Sequence, residues 1–268
     1  MTDSVDFPMI SVREWHHLNA QEKNSVMASA VPIIVRGYVK HWPLVKAASQ
    51  SFATLRDYLL AFDKQSVFQA MVAPPEVAGR LGYTEDMSAV NFERMPGRLQ
   101  DALNILVALQ QRSSPPDFYI GSSAIKDYLP GLEKENTLPC LDESIASNIW
   151  LGSAVTVATH NDHAENIACV AAGSRCFTLF PPEEEENLYI GPEDMTPAGR
   201  PISLVDLYNP DFQRFPRFRR ALQQAQVAQL EAGDALYIPT HWWHHVQSQA
   251  PVNILVNYWW NGAPPALG

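Results

Sequence analysis

Apolar and polar positions along this chain follow two regimes, and the change comes near Phe118. In the first regime the spacing is helical: over 98–111, Leu99, Ala102, Leu103, Leu106, Val107 and Leu109 fall largely on one stripe, as an amphipathic helix requires. Residues 52–62 read as a second helix. Val31-Pro-Ile-Ile-Val35 is β-branched and apolar, stops at Arg36-Gly37, and predicts a strand. Ser11 and Glu14 stand at capping-box spacing, which predicts a short surface helix running to about Ala30.

Beyond Phe118 the runs become short and apolar or alternating, and Gly, Pro, Asn and Asp separate them. This pattern predicts strands over 117–120, 147–151, 155–158, 167–170, 175–180, 226–230, 235–238, 245–249 and 253–259. The second half therefore reads as an all-β sandwich or barrel and the first as mixed. At 268 residues, 46% of them hydrophobic, one domain over 1–268 is expected, with a mixed part (1–117) packed on a barrel core (118–263). Glu183 to Glu186 reads as a solvated loop, and 209–220, rich in Arg and Phe, as an insert between strands where substrate-contacting loops can sit.

Charge narrows the partners. A net charge of −10 gives a field that repels a phosphate backbone, which leaves Arg214, Arg217, Arg219 and Arg220, interleaved with Phe212, Phe215 and Phe218, as the local argument for nucleic acid. Cys140, Cys169 and Cys176 lack CxxC spacing and read as reduced thiols, with Cys169 and Cys176 in the core. The start of the chain has no basic segment followed by a long apolar run, and no stretch of about 18 apolar residues follows, so a cytoplasmic protein without membrane contact is expected.

The chemistry concentrates in two places. His160-Asn161-Asp162 closes an apolar strand, and at a strand end residues i and i+2 point to the same side, so an imidazole and a carboxylate converge. Far downstream, a Gly233-Asp234 turn leads into a short strand and then a return strand carrying His241, His244 and His245, a segment able to supply a third ligand. Two histidines and one carboxylate on one octahedral face leave open positions, as a 2-oxoacid and O₂ on iron require.

Several segments then resemble those of the JmjC-type cupin oxygenases: Pro32 to Pro43, His160-Asn-Asp162, Gly173 to Pro182, Gly233 to His245, and Val256-Asn-Tyr-Trp259. Within that group they are most similar to the asparaginyl hydroxylase type that inhibits hypoxia-inducible factor, over about Val31 to Ala263. The resemblance implies a mostly β fold with flanking helices, a double-stranded β-helix of the cupin or jelly-roll kind, holding Fe(II) and the cosubstrate 2-oxoglutarate. It assigns the metal to His160, Asp162 and His244, with His245 facing the other side of its strand. The anchor for the distal carboxylate of 2-oxoglutarate, usually lysine, falls on Arg175, whose guanidinium can grip it bidentately. Tyr119 matches a tyrosine on the same carboxylate, Asn166 and Asn257 match asparagines at its other end, and Trp259 matches a tryptophan walling the metal. The family threonine is Val157 here, with Thr156 or Thr159 as imperfect replacements.

These residues imply a dioxygenase that consumes O₂ and 2-oxoglutarate, releases succinate and CO₂, and hydroxylates a polypeptide side chain. N-methyl demethylation or RNA hydroxylation uses the same chemistry, and a non-catalytic metal-binding cupin module is the alternative of another class. His163 and His241 read as surface or loop residues, and Trp242, Trp243 and Trp260 as packing. The resembled hydroxylase dimerises through a helical extension, and this chain ends at Gly268 soon after its last strand, so a homodimer is expected to be built otherwise.

Overall fold

The computed structural model describes residues 10–193, 196–197 and 199–267. Its strands among these residues are β1 (Ile10–Ser11), β2 (Ile33–Val35), β3 (Val67–Ala73), β4 (Arg80–Leu81), β5 (Glu93–Arg98), β6 (Asp117–Ala124), β7 (Ser147–Gly152), β8 (Thr156–His160), β9 (Glu165–Ala172), β10 (Ser174–Phe180), β11 (Gln226–Glu231), β12 (Ala235–Ile238), β13 (Trp243–Ser248) and β14 (Asn253–Trp260). They form two sheets, ordered β1-β11-β10-β13-β8-β4 and β2-β12-β9-β14-β7-β6-β3-β5. Neighbours are antiparallel except for β1 on β11 and β4 on β8. This is the jelly-roll arrangement of a mostly β, cupin-like domain.

The two sheets face each other across an apolar interior built by alternation. Ala168 and Val170 of β9, Phe177 and Leu179 of β10, Leu236 and Ile238 of β12, Val246 of β13 and Leu255 of β14 meet there. The opposite face of the larger sheet is also covered: Ile167 and Cys169 of β9 and Ile254, Val256 and Tyr258 of β14 pack with Trp42, Leu44, Leu55, Leu59, Leu103 and Leu106, from the segment before β3 and the helix Leu99–Leu109. Because both its faces are buried, β9 is apolar at nearly every position instead of alternating.

The halves are more entangled than the division at residue 117 predicts. β2, β3 and β5 belong to the same sheet as the barrel strands, and β3 and β5 extend it past β6. Two helices bracket expectation closely, Phe52–Leu60 and Leu99–Leu109, whereas Pro43–Gln50 forms an additional one. The predicted N-terminal helix is displaced. Ser11 lies in β1 against β11, Glu14 is gripped by Arg36, and the capping box belongs instead to Asn19 and Glu22 at the head of Ala20–Ala28. Ser11 and Glu14 have the right spacing, but tertiary partners claim both before a helix can use them.

The insert 209–220 also departs from its reading as a substrate loop. Phe215 and Phe218 are buried with Phe180, Leu207, Leu222 and Trp243, so the insert plates the outer face of the smaller sheet. The Glu183–Glu186 run forms a 3-10 turn and the short helix Glu185–Leu188, fixed there by buried Leu188. Cys169 is buried as expected, whereas Cys176, on the outer face of β10, is half-buried. No helix among the described residues is long and apolar enough to cross a membrane.

Candidate metal centre and cosubstrate recess

β8 and β13 run side by side with His160 opposite His244. Alternation on β13 sends His244 and Val246 inward, and His245 outward against Tyr208, with ring centroids 5.3 Å apart. The chain turns after His160, so Asp162 comes back beside both imidazoles. One ligand-type atom from each of His160, Asp162 and His244 lies within 4.8 Å of the other two, and His244 Nε2 stands 3.6 Å from Asp162 Oδ2. No ion is needed to hold this geometry, because each member has its own support. His160 Nδ1 lies 2.9 Å from Ala158 O and His244 Nδ1 3.0 Å from Trp242 O, which fixes the tautomers with Nε2 free to ligate. Trp259 Nε1 donates to Asp162 Oδ2 at 3.0 Å. Burial, together with the neighbouring His244, holds the His160 imidazole down at about 4, partly offset by Asp162. It is therefore neutral near pH 7, the form that binds a divalent metal.

The other two histidines of interest stay outside this set. His163 and His241 are exposed and face each other at 5.1 Å between ring centroids, and His241 adopts a left-handed backbone (φ 67°) in the turn before β13. A second group of metal-type ligands, Glu14, His16 and His17, lies on the far surface, where Arg36 already occupies one carboxylate oxygen of Glu14 at 2.8 Å.

From the triad a narrow recess runs into the barrel, lined by Tyr119, Trp150, Asn166, Arg175, His244, Asn257 and Trp259 among others. Arg175 is 1% exposed. Its guanidinium lies beside Tyr119, yet Nε and Nη2 have no partner, and no described carboxylate pairs with it. Burial pushes Arg175 down and Tyr119 up from their ordinary values, and an arginine in this setting still stays charged. An unpaired buried guanidinium with two idle N–H groups is a costly arrangement unless an anion completes it. The recess thus ends at a buried guanidinium with unpartnered N–H groups, and its mouth carries a metal-type triad.

Local sequence makes this arrangement possible. Gly173 turns β9 into β10 with φ 75°, and a β-carbon there would strike Val252 O at 2.6 Å, so Arg175 two residues later takes an inward position. At Gly152 a β-carbon would meet the Tyr119 ring at 2.7 Å; only glycine lets that ring lie against β7. Asn257 donates to Asn166 Oδ1 at 3.2 Å and accepts from Trp150 Nε1 at 2.7 Å, which joins both asparagines and a tryptophan into one wall.

Thr156 lines neither the recess nor the cavity outside it. On β8 the pairing slips between His160 and Val157, which face His244 and Val246. This bulge lets His160 and Val157, three apart, both point inward, and Thr156 pairs instead with Gln247 and Arg80. Val157 therefore takes the inward place that the threonine holds in the resembled oxygenases. Trp150 is a wall residue that sequence reasoning missed, edge-on to Trp259 at 5.8 Å and stacked near Tyr119 at 6.1 Å. The signal was there: Ile149 and Leu151 face the helices, so Trp150 between them has to face the barrel.

Outside the triad the recess widens into a cavity of about 870 Å³ bounded by β3, β5, β6 and by Pro197, Gly199, Arg200 and Ile202. Known proteins align with this architecture. A family model described as a cupin-like domain matches residues 19–265. The human bifunctional peptidase and (3S)-lysyl hydroxylase JMJD7 is 29% identical over 264 residues, an alignment covering 86% of this chain and 77% of that protein. Lysine-specific demethylase 8 of Xenopus tropicalis is 26% identical over 238 residues, covering 86% of this chain and 48% of that protein. Lysine-specific demethylase JMJ31 of Arabidopsis thaliana is 37% identical over 114 residues, covering 42% and 20%. The chain spans most of the first relative and less than half of each demethylase.

Proposed function

This chain belongs to the cupin-like domain family, and on that footing we propose that it is a JmjC-type Fe(II)- and 2-oxoglutarate-dependent dioxygenase that hydroxylates a polypeptide side chain. The observation that carries the reading is the pairing of two features 
in one recess: a two-histidine, one-carboxylate triad at its mouth and a buried, half-satisfied Arg175 at its end. A metal-binding module without catalysis needs the first and has no use for the second.

Each residue then has a task. His160, Asp162 and His244 would hold the iron, which when bound would supply the activation of O₂ that makes C–H oxidation and 2-oxoglutarate decarboxylation possible. Arg175 and Tyr119 grip the distal carboxylate of 2-oxoglutarate and set the reach of its 2-oxo acid end toward the triad. Asn166 and Asn257, locked to each other and to Trp150, give polar contacts along its side. Trp150, Trp259, Phe177 and Leu255 wall the recess and keep water from the reacting centre. Trp259 also fixes the Asp162 carboxylate.

Hydroxylation is preferred as the outcome because the relative covered over most of its length is named a lysyl hydroxylase; the narrower likeness to an asparaginyl hydroxylase finds no support among these relatives. N-methyl demethylation is the second reading, favoured by the names of the lysine-specific demethylases. Iron-reconstituted protein given 2-oxoglutarate, O₂ and peptide pools tests both. Succinate release with a peptide gaining about 16 mass units, one oxygen atom, supports hydroxylation. Formaldehyde release instead supports demethylation, and iron binding with no succinate under any condition overturns the oxygenase.

A further inference from the structure

The 870 Å³ cavity outside the triad is where a prime substrate has to enter, since the recess behind it ends blind at Arg175. Its charges are one-sided. Among the described residues that line it, Asp162 is the one carboxylate, and it belongs to the triad; the cations are Arg94 and Arg200. A pocket that takes a lysine side chain needs an acceptor of negative charge for the ammonium, and these walls supply none beyond the metal ligand.

The two arginines are placed rather than scattered. Arg200 Nε and Nη2 donate to Asn161 O and Oδ1, both at 2.8 Å, which pins it to the loop between His160 and Asp162. Arg94, exposed on edge strand β5, donates through Nη2 to Pro197 O at 2.6 Å. Arg94 is thus tied to Pro197 and Arg200 to Asn161, both on the lining of the cavity, and neither has a carboxylate partner among the described residues. In a chain with 29 acidic and 19 basic side chains, two arginines on a cavity whose described lining carries no carboxylate besides Asp162 are a charge held for something else.

We propose that the prime substrate is an acidic peptide segment, with one or more Asp or Glu side chains next to the target residue seated on Arg94 and Arg200, and that lysine-flanked segments are rejected. This rests on the oxygenase reading for what happens to the target, but the charge preference follows from the cavity alone. Gln69, Ser122, Ser123 and Asn261 supply neutral donors and acceptors for a peptide backbone. RNA, the other polyanion, fits less well: its repeated phosphates would meet a net charge of −10, and Arg214, Arg217, Arg219 and Arg220 do not line this cavity.

The test is fluorescence anisotropy on iron- and 2-oxoglutarate-loaded protein kept under nitrogen, so that binding is read without turnover. The probes are three labelled peptides with one central sequence flanked by Glu, Gln or Lys, and one labelled single-stranded RNA. The Glu-flanked peptide is expected to bind tightest, with affinity falling as salt rises. Arg94→Gln and Arg200→Gln should each weaken it about fivefold, the scale of a partly exposed charge pair. Arg94→Glu should invert the order toward the Lys-flanked peptide, a reversal that misfolding does not produce. Equal binding of the three peptides, binding of none, preference for Lys in the native protein, or tight RNA binding with peptides inert would each overturn the proposal. Glu-selective binding that yields no succinate once O₂ is admitted leaves it standing and counts against the oxygenase reading instead.

Discussion

Replacing Arg175 by methionine separates binding from stability more cleanly than any other change in this site. The side chain is 1% exposed, with Nε and Nη2 unpartnered and the Tyr119 hydroxyl as its polar neighbour. In the cosubstrate complex those two idle groups become charge-assisted hydrogen bonds to a carboxylate, each about 1.5–3 kcal/mol. Leaving that carboxylate buried without its cation costs about 3–5 kcal/mol, so the Kd for 2-oxoglutarate should rise roughly 150-fold to several-thousand-fold. Stability without cosubstrate should behave otherwise. Methionine is similar in length and removes an uncompensated buried charge, a gain of about 1–4 kcal/mol, while the stranded Tyr119 hydroxyl costs about 1–3 kcal/mol. The two nearly cancel. Calorimetric titration of 2-oxoglutarate into Mn(II)-loaded protein, beside melting curves with and without it, reads both quantities. Arg175→Lys should fall between, since a point charge replaces the fork. A Kd change below about fivefold, or a loss of several kcal/mol in the absence of 2-oxoglutarate, would show that Arg175 is a structural residue and refute its role as the carboxylate anchor.

Three further outcomes are expected. His160→Ala, Asp162→Ala and His244→Ala should each abolish Fe(II)- or Mn(II)-induced thermal stabilisation as well as succinate release, whereas His241→Ala and His245→Ala keep metal binding; metal retention in His244→Ala would misassign the third ligand. Trp259→Phe keeps the wall but removes the 3.0 Å hydrogen bond to Asp162 Oδ2, so metal affinity measured by chelator competition should weaken about 10- to 100-fold. His245, held down at about 4 mainly by burial, takes up its proton more readily unfolded, near 6.5, than folded. Its stability contribution is therefore full above pH 6.5 and lost as pH falls toward 4, by at most about 3 kcal/mol. Denaturant titrations of metal-free His245→Gln across that range should show a flatter acid limb than the native protein, and equal slopes would remove His245 as a source of acid lability.

Much of this protein was legible from its order of residues, because the signals are local. Short apolar or alternating runs mark β7 to β14 within about two residues and β6 over its first half, helical spacing marks 99–109, and His160-Asn-Asp162 at a strand end brings imidazole and carboxylate to one side whatever lies around them. The resemblance to the cupin oxygenases pointed to Arg175, two residues past the Gly173 turn, and burial in the barrel puts that side chain inward. What the sequence could not decide depends on pairing between distant strands. His241, His244 and His245 are equivalent until β13 is laid against β8 and His244 falls opposite His160. Thr156 and Val157 exchange faces because of a bulge that exists only in that pairing. Ser11 and Glu14 look like a helix cap until β11 and Arg36, more than 20 residues away from Glu14 at the nearer, take them. Arg94 and Arg200, 106 positions apart in the numbering, share a cavity only because β5 extends the larger sheet past β6 and Pro197 and Arg200 fold back over its lining. A short-range pattern can state which face a side chain takes, but which side chains share a cavity is fixed by strand register and by contacts that close over long loops, and those are properties of the assembled barrel.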